Sequence, residues 1–165
     1  MIKYRIATVI STFFFLGKLP VAPGTVGSLG GILLFVLIKE TYAYLLLVFG
    51  LCVVGSWSVR LSLEKADSPD PKYIVIDEVI GQMVALAPMI LFHNGSSTRM
   101  YFLSFILFRA FDIWKPWPIN LVDELTYRKN ISGTGQVACI IGDDMLAGLA
   151  AGAGLSIIVK YFNVS

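Results

Sequence analysis

Five apolar stretches constrain this chain more than any other feature: Gly27 to Ile38, Ala43 to Val59, Val79 to Phe92, Tyr101 to Phe111 and Met145 to Phe162. A soluble core drawn from 165 residues cannot enclose that much apolar surface from every side, whereas a bilayer solvates it directly. Hydrophobic residues make up 56% of the sequence and charged residues 15%, and the mean hydropathy of +0.77 lies well above that of water-soluble domains. The expectation is an all-α fold, a small polytopic membrane helical bundle that forms a single membrane-embedded domain over residues 1–165. The first, third and fourth stretches fall short of the ~20 apolar residues of a comfortable span, so four spans remain an alternative to five. Residues Ile6 to Leu16, flanked by Lys3, Arg5 and Lys18, suit an N-terminal helix lying in the interface. No small-residue cleavage site follows them, so the segment reads as retained.

If all five stretches span, nearly everything polar falls on one side. That side carries Lys3, Arg5, Lys18, Arg60, Lys65, Lys72, Arg109, Lys115, Arg128 and Lys129, against Lys39, Arg99 and Lys160 on the other. The positive-inside rule makes the first side cytoplasmic. Every acidic residue except Glu40 shares it, and since acids do not set topology, their crowding calls for a chemical cause. The net charge of +2 and the scattered bases exclude nucleic acid as a partner, and Cys52 and Cys139 read as reduced, packed thiols.

Four segments carry the polar chemistry. In DPKYIVIDEVIGQ, Asp77 and Glu78 stand where a loop becomes an apolar helix, with Gln82 one turn further on the same face. Helix capping accounts for one acid there, but not for two acids and an amide entering a membrane interior together. In FRAFDIWKPWPI, Arg109 and Asp112 lie three apart near a helix end, Pro116 and Pro118 stop the helix, and Lys115 follows it. A plain ion pair with Trp114 and Trp117 anchoring at the interface explains those residues equally well in isolation. In CIIGDDMLAGLAAGAG, Asp143 and Asp144 are expected to open the last helix, whose Gly148 and Gly152 have the small-residue spacing of close helix contacts. Adjacent carboxylates repel unless they share a cation, and a hard divalent ion such as Mg²⁺ suits oxygen donors. In LPVAPGTVGSLGG, the loop containing Gly24, Thr25 and Ser28 can offer amides and hydroxyls to a phosphate at a helix start, or simply be a capped Pro/Gly turn.

His93 falls at the far end of its helix from the acids, which removes histidine chemistry, and neither cysteine has an activating neighbour. Carboxylates, a metal, Arg and Lys remain, an inventory suited to phosphoryl transfer. An ion or proton transporter should spread its acids through membrane depth, and a CDP-alcohol transferase should carry a DGxxAR-centred motif that is missing. A non-catalytic membrane scaffold would tolerate the loss of Asp143.

Together and in this order, PGTVGS, IVIDEVIGQ, FRAFDIWKPWPI and GDDMLAG resemble the bacterial phosphatidylglycerophosphatase A family over most of the chain. The resemblance implies Mg²⁺-dependent hydrolysis of phosphatidylglycerophosphate to phosphatidylglycerol and inorganic phosphate, at the inner face of the cytoplasmic membrane. By resemblance and chemistry, Asp77, Glu78, Asp143 and Asp144 are expected to bind metal, with Asp77 and Asp143 also counted as catalytic. Asp112 is expected to be a ligand or to position the attacking water, with an aspartate nucleophile left open. Arg109 and Lys115 would hold the phosphate, aided by Gly24, Thr25 and Ser28. The partners implied are the phospholipid substrate and the bilayer.

Overall fold

The computed structural model describes residues 1–38, 40–92, 98–128 and 131–162; Lys39, His93 and Lys129 lie outside the described residues. All the regular structure among them is helical. The α-helices are α1 (Ile2–Ser11), α2 (Pro23–Leu37), α3 (Thr41–Leu63), α4 (Ile76–Phe92), α5 (Thr98–Trp114), α6 (Ile119–Thr126) and α7 (Gly133–Phe162), with a 3₁₀ turn at Leu16–Lys18. Each of the five apolar stretches falls in one helix, α2 to α5 and α7, because a helix satisfies the backbone of an apolar run internally, and α4 runs on through Pro88. Local chemistry sets the ends. Pro23 opens α2, where its missing N–H costs nothing, and the Glu40 carboxylate accepts the Ala43 N–H at 2.8 Å to cap α3.

Helix α4 is the centre of the bundle and packs most extensively against α7 and α2. Ile76, Val79, Ile80, Met83 and Leu86 are all 1% exposed or less, so α4 presents no free face over its first three turns. The Tyr44 hydroxyl, fully buried on α3, donates to the Met83 carbonyl at 2.5 Å. The α4 to α7 contact is backbone against backbone: a Cβ on Gly148 would overlap the Gly81 carbonyl oxygen and lie 3.1 Å from its carbon. One turn later a Cβ on Gly152 would lie 3.1 Å from the Pro88 ring and 3.2 Å from the Ala85 carbonyl oxygen. Ala147 and Ala151 are fully buried beside them. Small residues here let the two helices approach more closely than Leu or Val would allow.

Three expectations change. Helix α7 starts at Gly133, so Asp143 and Asp144 sit about three turns inside it rather than opening it, and N-terminal capping cannot account for either. Helix α1 ends at Ser11 instead of running to Leu16; Phe13, Phe14 and Phe15 take φ values of 43°, 57° and 67°, a left-handed turn no helix can continue through. Helix α6, an amphipathic segment after the Lys115–Pro118 turn, is a further element that apolar periodicity did not suggest.

Among the described residues, two helices are long and apolar enough to cross a membrane: α3, with 23 residues, and α7 over residues 133–161, with 29. Helices α4 and α5 have 17 residues each and span about 25 Å at 1.5 Å per residue, slightly less than the ~30 Å hydrocarbon core. Only 22% of the apolar window of α3 is buried, against 56% for α7, so α3 stands at the periphery with Leu46, Phe49 and Val53 turned outward.

Candidate active site

The first turns of α2 and α4, the last turn of α5, helix α6 and the middle of α7 converge on a cleft of about 400 Å³. All four polar segments reach it. Gly24, Thr25, Asp77, Glu78, Arg109, Asp112, Lys115, Asp143 and Asp144 line its wall, although Gly24 and Asp144 are 120 positions apart in sequence.

Asp77, Glu78 and Asp144 form the acidic centre. One carboxylate oxygen from each lies within 4.8 Å of the others. Asp77 is 7% exposed and Asp144 5%, and the Glu78 Oε2 atom is buried without a hydrogen-bond partner. The Glu78 N–H donates to Asp77 Oδ1 at 3.1 Å, which gives Asp77 a modest capping role and leaves the other two acids unexplained by local structure. Three neighbouring carboxylates removed from water are unfavourable unless protons or a cation neutralise them. An all-oxygen donor set of this spacing, with one oxygen orphaned, fits a hard divalent cation such as Mg²⁺ and does not fit a thiophilic metal.

Cations occupy the opposite wall. Arg109 pairs with Asp112 one turn on, at the end of α5. Lys115 pairs with Asp123 of α6 and, at 2.5 Å, with Oδ2 of Asp143. Lys115 holds a left-handed backbone, φ 44°, where a non-glycine residue is strained, and its ion pairs hold the side chain over the cleft. Burial alone would lower the Lys115 pKa, but the hydrogen bonds it donates to Asp123 and Asp143, with their negative charge, outweigh it and push the ammonium above its ordinary value. Lys115 therefore remains charged across the physiological range.

The adjacent aspartates have separate surroundings. Asp144 faces Asp77 and Glu78, while Asp143 turns to Lys115 and keeps its Oδ1 buried and unpartnered. The acidic centre thus holds three of the four expected metal ligands, and Asp143 stands with the lysine instead. Gly24 is required by packing: a Cβ there would collide with Oε1 of Glu78 and come within 3.2 and 3.3 Å of the two terminal nitrogens of Arg109. Thr25 lines the cleft beside it. Ser28 does not. It is fully buried and donates to the Gly24 carbonyl at 2.9 Å, so its hydroxyl is spent inside α2 and cannot meet a phosphate in the cleft.

Four polar lining residues escaped the sequence reading as site residues: Asp70, Lys72, Asp123 and Thr126. Asp70 and Lys72 belong to the polar DSPDPK loop before α4, whose two prolines and alternating charges were the available signal. Burial raises the Asp70 carboxyl above its ordinary pKa, and the Tyr127 hydroxyl donates to it at 3.3 Å. The partnership of Asp123 with Lys115 spans eight residues across a proline turn and has no helical spacing to betray it. Trp114 and Trp117 stand outside the cleft, 81% and 77% exposed.

Comparison with known proteins adds an independent finding. The family model described as phosphatidylglycerophosphatase A matches residues 9–159. A phosphatidylglycerophosphatase A of Escherichia coli is 30% identical over 137 residues, covering 81% of this chain and 72% of that protein. Its counterpart in Haemophilus influenzae is 34% identical over 138 residues, covering 82% and 77%. A Bacteroides thetaiotaomicron protein, provisionally described as a phosphatidylinositol-3-phosphatase, is 31% identical over 150 residues, 85% of each chain. No solved structure gives a significant match.

Proposed function

Because the chain belongs to the phosphatidylglycerophosphatase A family, we propose that it hydrolyses the terminal phosphate of phosphatidylglycerophosphate to give phosphatidylglycerol and inorganic phosphate in phospholipid biosynthesis. The observation that carries this reading is the convergence of four sequence-distant polar segments on one cleft with an acidic wall and a cationic wall. A phosphate monoester needs both: cations to neutralise its oxygens, and carboxylates to hold a metal or accept a proton.

The residues divide the work. Asp77, Glu78 and Asp144 would hold Mg²⁺, which when bound supplies Lewis-acid neutralisation of the phosphoryl oxygens. Arg109 binds the phosphate through its guanidinium fork, placed by the Gly24 backbone on one side and Asp112 on the other. Asp112 orients the attacking water and accepts its proton as the oxygen bonds to phosphorus; the bond to the glycerol oxygen breaks, and that oxygen takes a proton from solvent to leave as the alcohol of phosphatidylglycerol. Lys115, kept charged by Asp123 and Asp143, is the second cation at the phosphoryl group. Asp143 is in this account the positioning residue for Lys115. In an assay of phosphate release from phosphatidylglycerophosphate, purified protein should be active with Mg²⁺ and silent in excess chelator; equal activity in both would remove the metal from the reaction.

The same reading places the protein in the bacterial cytoplasmic (inner) membrane as a multi-pass bundle with the cleft facing the cytoplasm. Helices α2 to α5 and the part of α7 beyond Asp144 would cross, and the short helices would be met by local thinning of the bilayer. Helices α1 and α6 and the first turns of α7 would lie at the cytoplasmic surface. The outward apolar face of α3 and the exposed tryptophans supply lipid contact and interfacial anchoring. In intact cells, a membrane-impermeant maleimide should label Arg99→Cys and leave Ser68→Cys unlabelled until the inner membrane is opened; the reverse pattern would invert the orientation.

A further inference from the structure

The cleft continues beyond its acids. A second pocket, of about 620 Å³, adjoins it, with Pro23 and Lys72 lining both. Its wall comes from α1, the 3₁₀ turn, the end of α3 and the loop before α4, and it presents Lys18, Lys65 and Lys72 without a single acidic lining residue. Among the described residues none of these lysines is in an ion pair, in contrast to Lys115 with its two carboxylates. The Lys65 ammonium stands 4.0 Å over the Tyr4 ring, and the nearby Glu64 carboxylate is engaged by the Tyr4 hydroxyl at 2.9 Å. The pocket therefore gathers three lysines beside the acidic cleft, with the Glu64 and Asp67 carboxylates near its Tyr4 and Tyr73 walls.

Its outer edge is apolar. Leu19 (45% exposed) lines it, the Lys18 ammonium stands 5.3 Å over the Phe15 ring, and Phe14 (72%) and Val21 (75%) are exposed in the same left-handed turn and following loop. An apolar rim around an unpaired lysine fits the boundary between headgroups and acyl chains. Ile113, on the other side of the cleft, is apolar and exposed too, but the lysine near it is already neutralised by Asp123 and Asp143.

Resting on the function proposed above, we infer that this lysine pocket receives the phosphodiester of the lipid substrate while the monoester enters the acidic cleft, with Lys72 at the junction and the acyl chains leaving over the Phe14–Val21 loop. Phosphatidylglycerophosphate carries its two phosphates one glycerol apart, and two adjoining pockets of opposite character match them. The acidic centre, closed by a metal, accepts a group it can cleave. The lysine pocket holds an anion it cannot cleave. Binding of that remote, unreacting anion orients the monoester and selects a lipid with two phosphates over one with a single phosphate.

The test uses the full chain in nonionic detergent micelles and the variant Lys18→Gln/Lys65→Gln, which touches only the second pocket. KM for phosphatidylglycerophosphate should rise about tenfold with kcat within about twofold, the scale of losing two partly exposed charge-assisted contacts. Phosphatidylglycerol, which keeps the diester and lacks the monoester, should compete with substrate and weaken by a similar factor, whereas inhibition by inorganic phosphate should not change. Lys18→Arg/Lys65→Arg should restore both constants, showing that charge rather than packing is responsible. An unchanged KM, an equal loss for phosphatidylglycerol and inorganic phosphate, or non-competitive phosphatidylglycerol inhibition would each overturn the assignment, the last by placing the lipid at a separate site. Should the wild type release no phosphate at all, the proposed function fails instead. Calorimetric titration of short-chain phosphatidylglycerol into wild type and variant then still decides whether the pocket binds a diester: tighter binding by the wild type supports it, and equal binding sinks it.

Discussion

Asp144→Asn is expected to lower kcat for phosphatidylglycerophosphate by about 10³-fold, because in the proposed reaction it would remove one of three oxygen ligands from a Mg²⁺ ion that would supply several kcal/mol to the transition state. The same substitution should act in the opposite direction on stability. Without metal, Asp77, Glu78 and Asp144 are crowded and buried, and deleting one charge relieves their repulsion. A relief of about 1 kcal/mol raises the thermal midpoint by about 2–4 °C in a chain of this size. Loss of activity with a raised midpoint in chelator separates a ligand from a structural residue. A variant that loses both activity and midpoint would make Asp144 a packing residue, and one that keeps its activity would take it out of the site.

Gly148→Leu should abolish recovery of folded protein. The Gly148 Cα lies against the Gly81 carbonyl, so even a methyl group must push α7 off α4, and a leucine must push it several ångströms. Overpacking of this kind costs about 3 kcal/mol or more, a large part of the stability of any small domain. The two helices also carry the acidic centre, so their separation would pull Asp144 from Asp77 and Glu78. Gly50→Ala is the control, because nothing lies within 4 Å of its missing Cβ, and it should fold normally. Monodisperse elution in detergent and the thermal midpoint are the readouts. Normal behaviour of Gly148→Leu would mean that α4 and α7 do not meet as described.

Hydropathy alone located the five long helices, since each contains an apolar run of more than ten residues that an exposed loop would not carry. The start of α7 was hidden because residues Gly133 to Gly142 mix glycine, polar and apolar residues without a long apolar run, and only packing against α6 shows them to be helical. The four polar segments were legible as site material because charge entering an apolar helix demands a partner. Their assignment within the site was less so. Asp143 and Asp144 read as one unit, yet consecutive helical residues point about 100° apart, and this rotation sends one to Lys115 and the other to the acidic centre. Helix periodicity contained that distinction once the aspartates were placed inside a helix rather than at its start. Ser28 failed for a related reason: a serine in the second turn of a helix reaches back to a carbonyl four residues earlier more readily than out to a ligand. The partnership of Lys115 with Asp123 depends on a proline turn that no local pattern specifies.

In the proposed reaction, three carboxylates from two helices close on a single divalent ion. Mn²⁺ titration followed by electron paramagnetic resonance measures this directly and needs no turnover. Wild-type protein should bind one Mn²⁺ that Mg²⁺ displaces, and both Glu78→Gln and Asp144→Asn should weaken it by at least about tenfold while Ser28→Ala leaves it unchanged. Mn²⁺ binding that is equally strong in wild type, Glu78→Gln and Asp144→Asn would contradict the metal centre at the heart of the proposed reaction.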